Sequence, residues 1–294
     1  MAGPALLRLV RWPGVLTAAA DAATASLLFP CGPLRTAAVT GAAALLYAGG
    51  TVLNDAADAD RDRALHPERP LPRGEASRGA ALVFGAVLLG AGVGAAAFAG
   101  EDSLRAFAGV AGAVLLYDFV LKRWGAAGVL GMGLCRGGSV LAAALSSPGF
   151  GDILREQPGR ALLVPLPWFL HGAAVTAASL LEESPRARRR LPAAAAGILL
   201  PVALAFPLLQ VPHEMAAGPA ISAAAILTLF LGRAVANATT GDGPAWAWIV
   251  VREGVFAFLL LDATVLALRG RAVESVVAIA LWAAARWLLV SRRS

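Results

Sequence analysis

The chain has little charge, and its basic charge is almost all of one kind. Of 294 residues only 15% are Asp, Glu, Lys or Arg, whereas 58% are hydrophobic. A soluble domain of this length needs more polar surface than that to cover its core. No polar block is long enough to fold as a separate soluble domain, so the whole chain, 1–294, reads as a single polytopic membrane domain. Lys122 is the only lysine, and arginine carries the rest of the +6 net charge. No nucleic-acid-binding module is visible, so the arginines read as membrane anchors and not as a nucleic-acid surface. There are only two cysteines, Cys31 and Cys135, both in or beside apolar segments. They read as packing residues, and neither a disulfide nor a thiol nucleophile is expected.

What is abundant is apolar sequence of membrane-crossing length. Candidate spans lie at about 12–30, 35–53, 79–99, 104–121, 126–146, 161–181, 191–211, 217–237, 246–268 and 272–290, each near the ~20 residues that cross a hydrocarbon core. The fold class is therefore all-α integral membrane, with nine to ten spanning helices. The first span, preceded by Arg8 and Arg11, reads as a retained helix and not as a cleaved leader. Small residues, many of them glycine, fill the spans and point to close helix packing. The segment at 246–268 is unusual because it carries Arg252, Glu253 and Asp262.

Arginine placement gives an orientation. Arg8 and Arg11, the 61–78 connection, Lys122 with Arg123, the Arg186–Arg190 run, and Arg292 with Arg293 all fall on one side if ten segments span. Arg35, Arg105, Arg155, Arg160, Arg269 and Arg271 are scattered on the other. The bias puts both termini and the acidic connection on the cytoplasmic side of a multi-pass protein of the inner membrane.

The polar residues that can do chemistry cluster after the second span. Asp55, Asp58, Asp60 and Asp62 follow Asn54 within one short run. If the helix continues through them, Asn54, Asp58 and Asp62 are spaced i, i+4, i+8 and share a face, Asp55 borders it, and Asp60 points away. Stacked oxygen donors repel one another unless a cation joins them. Mg²⁺ suits them, because it takes a few carboxylates together with phosphate oxygens and water. Arg69 and Arg73, a few residues on, offer cations to an anion. Acids at a membrane boundary are expensive and read as functional.

The pattern Asn54-Asp55-x-x-Asp58-x-x-x-Asp62, followed by Arg69-Pro70-Leu71-Pro72-x-Gly74, resembles the first signature of the UbiA superfamily of intramembrane prenyltransferases. Tyr117 and Lys122, after the fourth span, resemble the Tyr-x-x-x-x-Lys element at the corresponding place in that family. The resemblance implies a UbiA-like bundle of nine to ten transmembrane helices around a central cavity, and a Mg²⁺-dependent transferase. Such an enzyme moves an isoprenyl group from an isoprenyl diphosphate to a small aromatic or lipid-like hydrophobic acceptor. It implies metal ligation by Asn54, Asp55, Asp58 and Asp62, catalytic roles for Asn54, Asp58, Asp62 and Lys122, and substrate binding by Arg69, Arg73, Tyr117 and Arg136.

One departure stands out. Family members carry a second Asp-rich motif at the end of the sixth span, and here that place reads Ser179-Leu180-Leu181-Glu182-Glu183-Ser184. Glu182 is the residue there that could ligate a second metal; the competing reading is a helix end countering Arg186 to Arg190. This weakened motif, with Met132-Gly133-Leu134-Cys135-Arg136-Gly137, resembles the UbiA-like EboC-type subgroup. It leaves open a binding or transport partner for a prenyl lipid or secondary-metabolite precursor. A CDP-alcohol phosphotransferase needs an Asp-Gly after its first Asp pair, which the 55–62 run lacks.

The remaining polar residues inside apolar segments should face the bundle interior. Arg136 has Asp21 or the diphosphate as its candidate partners. His171 reads as an interhelical hydrogen-bonding residue, with an acceptor base as the alternative. Adjacent helical residues point about 100° apart, so Arg252 and Glu253 are not expected to pair. Asp262 could serve Arg252 only across another helix.

Overall fold

In a computed structural model the chain is described at residues 3–181, 187–208 and 245–291, with isolated residues 225, 226, 228, 229, 232, 233 and 236 between the last two. Among the described residues there is helix and turn but no strand. A short helix α1 (Gly3–Leu9) precedes α2 (Trp12–Leu28), α3 (Pro33–Leu65), α4 (Arg78–Ala96), α5 (Glu101–Phe119) and α6 (Ala126–Ala144). Then come α7 (Pro148–Glu156), α8 (Pro158–Leu163), α9 (Leu166–Ser179), α10 (Ala187–Leu208), α11 (Ala245–Leu268) and α12 (Ala272–Ser291).

Five stretches of the described chain are long and apolar enough to cross a membrane: Pro33–Leu65, Arg78–Ala99, Glu101–Arg123, Ala126–Ala144 and Pro158–Ser179. Their outer faces keep large apolar side chains exposed, among them Val83, Val87, Phe98, Leu130 and Leu134. Such surface suits lipid. The sixth expected span is broken into α8 and α9, where Val164 and Pro165 interrupt the helical pattern. The expected span at 217–237 lies almost entirely outside the described residues.

The long α3 sets up the site. Pro33 starts it, and Pro67 stops it one residue after His66. Its 33 residues extend about 50 Å, well beyond a hydrocarbon core of about 30 Å. The acidic run therefore stays helical and occupies the end that outruns the membrane. Past α3, Gly74 takes a positive φ of 73° in the turn, and Ser77 caps α4 by accepting from the Ala80 amide at 3.1 Å.

Two close approaches decide the packing around α3. A Cβ on Gly85 would lie 2.6 Å from Leu53, and one on Gly49 would lie 2.9 Å from the Gly85 carbonyl, so α3 and α4 touch nearly backbone to backbone. Gly128, in the first turn of α6, sits against the backbone of Lys122, where a Cβ would fall 2.9 Å from Lys122 Cα. That contact seats the α5–α6 turn on α6 and fixes where Lys122 emerges. Behind these helices, α11 is the most enclosed element: every residue from Phe256 to Leu268 is buried.

Candidate active site

The last turns of α3 carry Asn54, Asp55, Asp58 and Asp62, and cations from three other segments reach them. Lys122, in the turn after α5, places Nζ 2.8 Å from Asp58 Oδ2, 3.0 Å from Asn54 Oδ1 and 3.3 Å from the Asn54 carbonyl. Arg69, after α3, donates to Asp62 Oδ2 at 2.7 Å. Arg11, between α1 and α2, donates to Asp55 Oδ1 at 2.5 Å. Asp55 and Asp62 are buried, and the Lys122–Asp58 pair is mostly shielded from solvent. Such pairs are worth more than exposed ones, because less water screens them.

The helical register matters here. Asn54 and Asp58 meet the same ammonium, as side chains four apart on one face should. Asp62 continues that row with Arg69, and Asp55 turns to Arg11 instead. Asp60 pairs with Arg63 and, at 3.1 Å, with Arg78, and its side chain is exposed. It is apart from the others.

Not every expected site residue gathers here. Arg73 is exposed, with Nε 3.5 Å from Glu75 Oε1, and is not among the residues lining the cavity described next. Glu182 lies outside the described residues.

A cavity of about 230 Å³ runs beside this end of α3. Arg11, Asn54, Tyr117 and Asp118 give it polar walls, while Leu46, Val114, Met132, Val175 and Val255 make most of it apolar. From Asn54 back to Leu46 it follows α3 for about 12 Å. Ser179, the last residue of α9, also lines it. Sequence reasoning gave Arg11 only an anchoring role and passed over Asp118 within the Tyr117–Lys122 element. The signal for Asp118 was present, since it is an acid at the end of an apolar span.

Arg136 stands in the cavity wall with both of its Nη atoms bonded to α2. Nη1 donates to Asp21 Oδ2 at 2.9 Å and Nη2 to Thr17 Oγ1 at 2.5 Å. Its Cζ lies 3.8 Å from the Phe258 ring centroid and 4.9 Å from that of Tyr47. Of its two expected partners Asp21 is the one observed. A buried charge needs such a partner. Beside it, Trp168 Nε1 donates to Asp262 Oδ1 at 3.0 Å, so Asp262 serves α9 and not Arg252. His171 bonds the Gly254 carbonyl across helices at 2.9 Å, as an interhelical histidine would.

One expectation fails outright. Arg252 and Glu253 do pair, at 2.6 Å, and Arg286 of α12 completes the group at 3.0 Å. The Cα–Cβ bonds of adjacent residues diverge, but long side chains with several rotatable bonds turn back toward one another. Burial of Glu253 gives them reason to do so.

The donor set suits a small divalent cation. The Lys122 ammonium, a compact cation, sits where an amide oxygen and a carboxylate oxygen of α3 converge, and all the α3 donors are oxygens. Among the described residues no three Asp, Glu, His or Cys side chains converge on one point. The described residues therefore offer part of a coordination shell, and Mg²⁺ commonly completes its shell with water and phosphate oxygens.

Residues 12–261 match the UbiA prenyltransferase family. Over 129 residues the chain is 37% identical to the digeranylgeranylglyceryl phosphate synthase of Halobacterium salinarum, a match covering 42% of this chain and 45% of that protein. The chain thus spans a little under half the length of that relative. The fold is similar to that of a digeranylgeranylglyceryl phosphate synthase solved in the context of membranes, with a TM-score of 0.60, 20% identity, and 93% and 99% of the two chains covered. It is also similar to that of a UbiA homolog from Archaeoglobus fulgidus bound to DMAPP and Mg²⁺, with a TM-score of 0.59 and 16% identity over 90% and 98% of the two chains. For an apo UbiA homolog from Aeropyrum pernix K1 the values are 0.57 and 22%, over 89% and 98%. With the motif of α3, the helical fold and a match over most of its length, the chain belongs to the UbiA prenyltransferase family.

Proposed function

We propose that the chain is a Mg²⁺-dependent intramembrane prenyltransferase that moves an isoprenyl group from an isoprenyl diphosphate to a hydrophobic, lipid-like acceptor. One observation carries the reading: Lys122 meets Asn54 and Asp58 beside a cavity whose walls are mainly apolar. Cations and oxygen donors at one end of an apolar cavity match a ligand with a phosphorylated head and a hydrocarbon tail. The names of relatives support this. One is a digeranylgeranylglyceryl phosphate synthase, which favours a lipid-like acceptor, and one was solved with DMAPP and Mg²⁺.

The roles follow from the chemistry. The allylic C–O bond breaks with its electron pair on the diphosphate, the acceptor attacks the resulting carbon, and the acceptor loses a proton. Lys122, Arg69 and Arg11 stabilise the charge that builds on the leaving diphosphate. Asn54, Asp55, Asp58 and Asp62 would hold Mg²⁺, which when bound supplies further neutralisation of that charge. Tyr117 and the apolar walls pack against the prenyl chain and exclude water that would capture the cation. The arginine bias supports an inner-membrane location with this end of α3 on the cytoplasmic side.

The test uses the purified full chain. Mg²⁺ with an allylic diphosphate should raise its melting temperature by mass action, and Asp58→Asn should abolish the shift. Membranes given labelled prenyl diphosphates of several lengths should yield a labelled lipid. Stabilisation without product would identify a binding protein instead; neither effect would sink the reading.

A further inference from the structure

Asp118 is a carboxylate of this site that Lys122 and Arg11 attract but, among the described residues, do not pair. It lies in the last turn of α5, is only 2% exposed, and lines the cavity together with Asn54 of the neighbouring α3. Its Oδ2 is buried without a hydrogen-bond partner among the described residues. Every carboxylate of the α3 motif has a cation: Arg11 for Asp55, Lys122 for Asp58, Arg69 for Asp62. Asp118 has no ion pair of its own among the described residues, and Lys122, four positions on, is committed to Asn54 and Asp58.

A buried carboxylate in that position is unsatisfied in either form. Ionised, it has no ion pair among the described residues, and Lys122 and Arg11 act on it only from a distance. Neutral, it still has an oxygen with no partner, which native interiors rarely tolerate without a ligand. We propose that Asp118 is an additional ligand, contributed by α5, for the divalent cation of the α3 motif. This rests on the diphosphate-binding reading above and deepens it. The motif alone would grip a cation from one helix, and the place where a second acidic motif is expected offers Glu182 and Glu183 in place of aspartates. Asp118 supplies an aspartate from a second helix, at the wall of the same cavity.

The test reads metal affinity and not turnover. Mn²⁺ is titrated calorimetrically into the purified full chain, with and without inorganic diphosphate, for wild type, Asp118→Asn, Asp58→Asn and Asp60→Asn. Asp118→Asn should weaken Mn²⁺ binding at least about tenfold, while Asp60→Asn titrates like wild type. A second arm asks for a change of metal preference, which a packing role would not produce. In a Cys135→Ala background, Asp118→Cys should shift preference from Mn²⁺ toward Cd²⁺ by at least about tenfold, since thiolate is the softer ligand. This arm decides the matter if Asp118→Asn does not fold. If Asp58→Asn loses Mn²⁺ and both Asp118 variants behave like their parents, the site stands and Asp118 is not a ligand. If the wild type binds neither Mn²⁺ nor diphosphate, the functional reading itself falls, and this proposal with it.

Discussion

Lys122 Nζ lies 2.8 Å from Asp58 Oδ2, which joins the turn after α5 to the end of α3. The same nitrogen takes two oxygens of Asn54, so the chain's only lysine holds the point where the motif's donors converge. It therefore competes with a metal for those oxygens, yet would assist a diphosphate once that arrives.

Those two effects should separate in Lys122→Met. Diphosphate affinity is expected to fall by about 1.5–3 kcal/mol, roughly 10- to 100-fold, the scale of a lost charged hydrogen bond. Mg²⁺ binding without diphosphate is expected to strengthen, because the competing ammonium is gone. Calorimetry with each ligand alone checks both signs; a parallel loss of both affinities would contradict the competition.

Arg69 and Arg73 sit in one short loop but differ in surroundings. Arg69 contacts buried Asp62 at 2.7 Å, while Arg73 is exposed and 3.5 Å from Glu75. Arg69→Gln should raise the KM for the prenyl diphosphate at least about tenfold, since it leaves Asp62 without its cation. Arg73→Gln should stay within about twofold, as exposed pairs contribute little. Steady-state kinetics on the two variants side by side gives the answer, and equal effects would refute the distinction.

The Arg136–Asp21 pair predicts a stability pattern. Both side chains are buried, and Arg136 Cζ lies near the Phe258 and Tyr47 rings. Arg136→Leu alone should cost about 3–5 kcal/mol by leaving Asp21 uncompensated. Replacing both residues by leucine should recover most of that loss. Reversible unfolding in mixed micelles measures the three variants; a double variant as unstable as the single one would show that the charge pair is not the reason.

Much of the architecture was legible in the chain. Apolar length marked the spans, because hydrocarbon thickness imposes it on any helix that crosses. The i, i+4, i+8 spacing marked Asn54, Asp58 and Asp62 as one row, because helical period is a local property. The run of glycines announced close packing, although it could not say that Gly128 seats the turn bearing Lys122.

Local rules also misled. The expectation that Arg252 and Glu253 stay apart used the backbone angle between neighbours and ignored the reach of two long side chains, which meet at 2.6 Å. Arg11 read as an anchor, since positive charge before a span is ordinary topology, yet it reaches Asp55 across 44 positions.

The sequence by itself determined the helices, their apolar faces and the acidic row, because these depend on period, length and solvent. Only the tertiary structure decided which cation meets which acid. Lys122 reaches Asn54 across 68 positions and Arg136 reaches Asp21 across 115. Such pairings are set by how helices pack, and packing turns on where glycines let backbones touch. The same packing leaves Asp118 in the cavity wall with no ion pair among the described residues.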